Sequence, residues 1–240
     1  MLAKSSAHHL ARMIITLGVV IICFCLSVMV HASTSTPPRA PGWGELAYEP
    51  PAPGTYELPV IKLATDGEVL TSDSSPSKLF DLMSGKIVFL SFIFTRCTDE
   101  NGCPLANAVL YKVQARLNQN PDLANKVSLL TVSFDPEYDT PEVISAMKNF
   151  YSEGSASWQF LTTRNLDELQ PILNGYGQYP VRVDHHYTHN EGVDEYIHLL
   201  RVYLIDLQKQ IRNIYSVSFL HPDILMNDLE TLLMESRTNQ

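Results

Sequence analysis

The sequence has few cysteines and a shortage of positive charge. Only four cysteines occur in 240 residues, and Cys23 and Cys25 lie in an apolar run, where cysteine usually acts as a small hydrophobic side chain. A framework of several disulfides is therefore excluded. The formal net charge is −9, and because the first 32 residues hold two basic and no acidic side chains, the rest of the chain carries −11. This acidic balance argues against nucleic acid as a partner.

The composition is otherwise that of a folded protein. Hydrophobic residues make up 45% of the chain and charged residues 18%, which is typical of a globular domain with its own core and far from the composition of disordered chains. An acidic surface does not attract anionic lipid head groups. Any contact with a membrane must therefore come from a hydrophobic segment.

The N-terminus contains such a segment. Residues 13–30 carry no charge and follow Lys4 and Arg12. This run just reaches the length of a membrane-spanning helix, and the residues that follow it resemble a cleavage site. We predict that residues 1–32 are either a cleaved signal peptide or an N-terminal transmembrane anchor. With the basic end kept inside, both alternatives place the rest of the chain on the extracytoplasmic face, which is the periplasmic side of a bacterial inner membrane.

A stretch rich in proline and glycine follows, residues 33–53. Such a composition keeps the backbone extended and disfavours regular structure. We predict a Pro-rich extracytoplasmic tether, although the aromatic side chains of Trp43 and Tyr48 indicate that part of it packs against the domain.

From residue 54 onward, apolar strand patterns alternate with amphipathic helical patterns. Residues 60–70, with a turn at Asp66-Gly67, predict an opening hairpin. Residues 87–94 and 127–134 are bounded apolar runs, as expected of strands buried on both faces. A helix between them begins near Pro104.

Further elements complete the domain. Thr140 before Pro141, and Asn165 with Glu168, are N-terminal signals for two helices that flank a short strand near Phe160. The apolar pattern then predicts a hairpin over residues 199–217 and a last helix after Pro222. The order predicts an α/β fold. Right-handed connection of the two buried strands makes them parallel, with a ligand site at their carboxyl ends.

Cys97 lies at that end of the first buried strand, and Cys103 follows six positions later at the start of a helix. The positive end of the helix dipole, with help from Arg96, is expected to lower the pKa of Cys103 in particular, while Asp99 and Glu100 oppose this effect. A loop of this length can close a disulfide or chelate a metal. The residues alone leave both alternatives open.

At this point the chain resembles a known family. The strings FIFTRC (92–97), CPLAN (103–107), VSFDPEYDTPEV (132–143) and WQFLT (158–162) are similar to those of the Sco/SenC family of copper proteins. The resemblance covers roughly residues 54–236. It implies a thioredoxin-like domain with a central mixed sheet flanked by helices, on the extracytoplasmic side of the membrane, that holds copper during assembly of cytochrome oxidase.

The resemblance also implies a ligand set. Family members hold copper with two cysteines and a later histidine, which match Cys97, Cys103 and His198; the histidine is placed by its spacing to Tyr203. Two features depart from the common pattern. Five residues separate the cysteines instead of three, and His198 has the apolar neighbours Ile197 and Leu199 in place of polar ones.

Three functions are compatible with these residues. The first is a copper metallochaperone for an exported copper enzyme such as cytochrome oxidase, because two thiolates and an imidazole suit copper. Zinc accepts the same ligands. The second is an extracytoplasmic thiol-disulfide oxidoreductase without a metal, and the third is peroxide reduction at Cys97. Only His198 separates the first two, since a dithiol enzyme does not need it. An inert structural disulfide is the alternative that gives the cysteines no function.

The other polar clusters have more ordinary interpretations. A histidine-rich stretch is typical of a solvated loop, or of an auxiliary entry point for a metal. Acidic residues beside prolines fit turn and helix-capping roles better than paired acids for hydrolysis. A histidine directly before a proline fits a local structural role. The histidine-rich stretch contains His185, His186 and His189, the acidic residues are Asp135, Asp139 and Glu142, and the histidine before a proline is His221.

Overall fold

The structure is a computed structural model that describes residues 38–151, 154, 156–183 and 195–238. The predicted signal or anchor, residues 1–32 with the apolar run 13–30, lies outside these ranges, as do His185, His186 and His189. Within the described ranges, no helix has both the length and the apolar character needed to cross a bilayer.

The described chain forms ten strands and six α-helices. The strands are β1 Lys62–Leu63, β2 Glu68–Thr71, β3 Pro76–Lys78, β4 Ile87–Ile93, β5 Val127–Ser133, β6 Ser157–Thr162, β7 Val181–Val183, β8 Glu195–Ile197, β9 Arg201–Ile205 and β10 Gln210–Ser216. The helices are α1 Leu79–Leu82, α2 Cys103–Asn118, α3 Pro121–Ala124, α4 Pro141–Tyr151, α5 Leu166–Tyr176 and α6 Pro222–Thr238, and a short 3₁₀ helix spans Pro41–Trp43.

Eight of these strands build one mixed sheet in the order β1-β10-β9-β4-β5-β6-β2-β3. Strands β4, β5 and β6 are parallel, and β9 lies antiparallel against β4. Strands β9 and β10 form the predicted hairpin, while β7 and β8 pair in a separate two-stranded sheet. The predicted α/β class and thioredoxin-like arrangement are confirmed.

The central strands are apolar because both faces of the sheet are covered. Along β4, Ile87 and Phe89 enter the core cluster that includes α2 and α6, while Val88 and Leu90 enter the cluster that includes α5. Successive side chains of a strand point to opposite faces. A strand between two helical layers therefore needs apolar residues at every position.

The predicted opening hairpin over residues 60–70 is wrong. Strand β1 pairs with β10, and β2 pairs with β3 and β6 at the other end of the sheet. Asp66 does not turn a hairpin; its carboxylate accepts a hydrogen bond of 2.9 Å from the backbone N–H of Phe80 in α1. Neither short apolar run pairs with the other; each is hydrogen-bonded to a different strand of the sheet.

The compact domain begins at Arg39. Ala40 and Gly42 are buried, and the indole of Trp43 packs against the core cluster beneath α2. Residues 40–43, within the stretch predicted as a tether, therefore pack against the domain. Strands β4 and β5 end side by side at one edge of the sheet. Both strands lead from this edge into the functional residues.

Candidate metal and redox site

The two cysteines lie at the carboxyl edge of the sheet. Cys97 follows β4 and is partly buried, and Cys103 is the first residue of α2, with 2% of its surface exposed. Both thiols are free. We call residues 97–103 the cysteine loop. A Cβ at Gly102 would lie 3.2 Å from the Cys97 sulfur, so a larger residue there would crowd the thiol.

His198 reaches the same place from the link between β8 and β9. Its Nε2 lies 3.9 Å from the Sγ of Cys103. Its ring packs on Phe134, with 4.7 Å between ring centroids, and stands edge-on to Phe94 at 6.3 Å. The fold therefore brings together two donors that are 95 positions apart in the sequence.

The donor set fits a soft metal ion. Bonds of about 2.3 Å to sulfur and about 2.0 Å to nitrogen, as zinc makes them, span up to about 4.3 Å, which is enough to bridge Cys103 and His198. Among the described residues, however, no three His, Cys, Asp or Glu side chains are already gathered around one position where a metal could be held. Binding through Cys97, Cys103 and His198 together therefore requires these three side chains to turn towards a common position.

The two thiols differ in acidity. The pKa of Cys97 is lowered to about 7, chiefly because the Cys103 thiol donates a hydrogen bond to its sulfur, with help from the backbone N–H groups of Cys103 and Asp99. The pKa of Cys103 is raised, because its thiol is the donor to Cys97 and because it is buried. The expectation that the helix dipole lowers the pKa of Cys103 is therefore wrong, since burial and the neighbouring sulfur outweigh it.

The imidazole of His198 is held neutral. Burial lowers its pKa, and the negative charge of Asp99 opposes this only in part. A metal binds the neutral imidazole, which has a free lone pair. His198 is therefore in its ligand-competent form at neutral pH.

Arg96 has a different role from the one expected. Its guanidinium donates to a carboxylate oxygen of Asp135 at 2.8 Å and lies 3.9 Å above the ring of Tyr138. The hydroxyl of Tyr196 donates to the other oxygen of Asp135 at 3.3 Å. Because Arg96 directly precedes Cys97 and Tyr196 lies two residues before His198, Asp135 ties the two halves of the site together.

Asp139 stabilises the same edge of the sheet through hydrogen bonds. Its buried carboxylate accepts hydrogen bonds from the backbone N–H of Thr95 at 3.0 Å, from the Thr95 hydroxyl and from the Ser133 hydroxyl. These contacts fasten the exit of β4 to the exit of β5. Sequence reasoning gave Asp135 and Asp139 turn and capping roles and missed this one. The signal that was available is that both residues lie in the segment between the second buried strand and the next helix, at the edge where the first buried strand also ends.

The remaining acidic and histidine candidates, Glu142 and His221, have structural contacts outside the cysteine site. Glu142 is exposed and accepts a hydrogen bond of 2.8 Å from the Thr140 hydroxyl at the start of α4. His221 is buried, accepts from the backbone N–H of Asp223 at 3.1 Å and lies 3.2 Å from the carbonyl oxygen of Gly44. A neutral ring that accepts through Nδ1 carries its proton on Nε2. His221 therefore donates to Gly44.

An open cleft of about 460 Å³ leads to Cys97, with Phe94, Asp99, Tyr196 and Ile197 among its lining residues. The Cys97 sulfur is thus the part of the site that a second molecule meets first, while Cys103 lies behind it.

Selective alkylation of Cys97 is the expected consequence of these acidities. Iodoacetamide reacts with thiolates, so the metal-free, reduced protein should be modified first at Cys97. The rate should rise with pH around a midpoint near 7, because the fraction of thiolate grows as the pH passes the pKa. Mass spectrometry of digested samples measures the rate at each cysteine. Faster modification of Cys103 in the folded protein would contradict the assignment, and unfolding in guanidinium should make the two rates similar.

Comparison with known proteins places these features in context. The family model described as SCO1/SenC matches residues 72–234. A curated relative, a SCO1 protein homolog of Bacillus subtilis (strain 168), is 28% identical over 124 residues. That match covers 51% of this chain, and the chain spans only 58% of the relative's own length.

Solved structures share the fold. A copper-bound ScoI of Arabidopsis thaliana superimposes with a TM-score of 0.61 at 18% identity, over 72% of this chain and 99% of the other. BsSco, described as a member of the Sco family of cytochrome c oxidase assembly proteins with a disulfide switch, gives 0.57 at 22% identity, over 74% and 98%.

Proposed function

The chain belongs to the SCO1/SenC family, and from this premise we propose that it is a copper metallochaperone. Cys97, Cys103 and His198 bind the copper, and the recipient is an exported copper enzyme such as cytochrome c oxidase. The observation that carries the proposal is the 3.9 Å approach of the His198 imidazole to the Cys103 sulfur. A dithiol enzyme has no need of this histidine.

The chemistry of the donors supports copper as the cargo. Thiolates are soft ligands that favour Cu(I), and imidazole is a good ligand for copper in either oxidation state. About half of the Cys97 thiols are ionised at neutral pH, since the pKa of Cys97 is about 7, and His198 is neutral. Little proton release is then needed at these two ligands when copper binds. In the relatives, one solved structure contains copper and another protein is described as an assembly factor of cytochrome c oxidase.

The exposure of Cys97 supports transfer rather than storage. A metal held by a partly exposed sulfur at an open cleft, a partly exposed imidazole and one buried sulfur can be passed on by ligand exchange, in which a donor of the recipient replaces Cys97 first. The predicted signal or anchor in residues 1–32 would keep the domain on the extracytoplasmic face, where exported copper enzymes acquire their metal.

Copper titration of the full chain tests this function. The reduced protein competes with a Cu(I) chelator of known affinity, and one equivalent should bind more tightly than to the double variant Cys97→Ser, Cys103→Ser. Zinc titration under the same conditions measures the competing metal. Equal copper binding by the wild type and the double variant would rule out the chaperone function. Preference for zinc over Cu(I) would rule out copper as the cargo.

A thiol-disulfide oxidoreductase is the second candidate, and one specific observation favours it. A partly exposed thiolate with a pKa of about 7, backed by a buried thiol of raised pKa, is the arrangement of an attacking and a resolving cysteine. Turnover of a disulfide substrate separates the two functions. An oxidoreductase keeps its turnover in His198→Ala, whereas a chaperone loses copper affinity in that variant.

A further inference from the structure

We propose that the segment Ala40–Gly44, which we call the brace, sets the conformation of the cysteine loop and so belongs to the binding site of this chain. The proposal rests on the proposed function for its copper arm only. Its other consequence, the behaviour of the two thiols, needs no metal.

The brace contacts the loop through two hydrogen bonds. The backbone N–H of Ala40 donates to the side-chain Oδ1 of Asn101 at 2.9 Å, and the indole N–H of Trp43 donates to the carbonyl oxygen of Glu100 at 3.2 Å. Both acceptors lie between the two cysteines. Arg39 also pairs with Glu100 at 3.4 Å, but this pair is mostly exposed and such pairs contribute little.

The brace is anchored independently of the loop. The carbonyl oxygen of Gly42 accepts from the Lys112 ammonium on α2 at 3.0 Å, and Gly44 accepts from buried His221. A Cβ at Gly42 would lie 2.3 Å from the carbonyl oxygen of Leu220, so only glycine lets the backbone approach this closely. A segment fixed to α2 and to the residues before α6 is a firm support on which the loop rests.

The length of the cysteine loop explains why contacts with the brace affect its conformation. Five residues separate the cysteines. Two of these five, Glu100 and Asn101, accept the hydrogen bonds from the brace. A longer flexible loop loses more conformational entropy when its ends are held together. Support from outside the loop reduces that loss, and it keeps the Cys97 sulfur within hydrogen-bonding distance of Cys103.

Two variants test the brace. Trp43→Phe keeps the packed ring and removes the indole N–H, and Asn101→Ala removes the other acceptor. The net value of one hydrogen bond corresponds to about fivefold in an equilibrium constant, so each variant should bind Cu(I) about fivefold more weakly than the wild type. Arg39→Gln, at the residue that precedes the brace, is the matched control, and it should change the affinity less than twofold because it leaves both hydrogen bonds in place.

A metal-free measurement keeps the inference separate from the proposed function. The protein is equilibrated with oxidised and reduced glutathione: Cys97 and Cys103 lose two electrons and two protons and form a disulfide, and one oxidised glutathione becomes two reduced ones. In Trp43→Phe and Asn101→Ala the equilibrium constant should shift about fivefold towards the dithiol, because the freed loop holds the sulfurs together less often. Thermal unfolding of each variant checks that the domain stays folded.

The outcomes are distinct. If the wild type binds no copper but the two variants shift the thiol equilibrium, the proposed function fails and the brace stands. If the wild type binds copper while both variants match it in affinity and in thiol equilibrium, the brace inference is wrong. Stronger copper binding in either variant would also overturn it, since the segment would then restrain the loop against the metal.

Discussion

Cys97→Ser is expected to lower the Cu(I) affinity of the chain by about a thousandfold, which corresponds to roughly 4 kcal/mol. Serine has nearly the shape of cysteine, but its hydroxyl is a hard donor and is not ionised at neutral pH, so the variant loses a soft thiolate and gains no comparable ligand. Because Cys97 lies in a loop and is only partly buried, the stability of the domain should change little. The loss is therefore a property of the site and not of the fold.

The measurement is competition with a Cu(I) chelator of known affinity, at a fixed pH near 7. His198→Ala should reduce the affinity less, by about 10- to 100-fold, which corresponds to about 1.4–2.8 kcal/mol. That ranking follows because Cu(I) prefers sulfur to nitrogen. Thr98→Ser, an exposed neighbour in the same loop, is the control and should bind as the wild type does. An affinity of Cys97→Ser within tenfold of the wild type would show that Cys97 is not a ligand.

The sequence allowed the framework of the site to be predicted because that framework rests on local patterns. The apolar run that becomes β4 leads directly to Cys97, and Pro104 marks the first turn of the helix that Cys103 opens. The capping signal at Asn165 is confirmed, since its side chain accepts from the backbone N–H of Glu168 at 3.0 Å. Each of these depends on residues a few positions apart.

The supporting contacts could not be predicted because they join distant segments. Ala40 and Asn101 are 61 positions apart, and Tyr196 and Asp135 are likewise 61 apart. Neither pair has a spacing rule that would identify it. The acidity of the cysteines was missed for a related reason: the helix position of Cys103 is visible in the sequence, whereas its burial and its contact with the Cys97 sulfur follow only from the folded chain.

Asp139→Ala is expected to lower the free energy of unfolding by about 2–4 kcal/mol, a large share of the 5–15 kcal/mol that is usual for a domain. The substitution leaves a backbone N–H and two hydroxyls, from Thr95 and Ser133, without their acceptor at a buried position. Each unsatisfied buried donor costs about 1–3 kcal/mol, although the hydroxyls can rotate and recover part of it. Asp139→Asn keeps one acceptor oxygen and should cost less. Glu142→Ala, which removes an exposed carboxylate with one local contact, is the control.

The pH dependence of stability provides an independent check on Asp139, because burial raises its pKa above the ordinary value of 3.8. The folded protein then binds the proton more tightly than the unfolded chain. The contribution of this group is therefore fully present below about 3.8 and is lost as the pH rises through the folded-state pKa. Urea unfolding of the wild type and of Asp139→Asn across this range should show that the wild type loses more stability on going to higher pH. Parallel pH profiles would mean that the pKa of Asp139 is not raised in the folded protein. A steeper fall in the wild type would show that burial of the Asp139 carboxylate, which fastens the end of β4, disfavours its charged form.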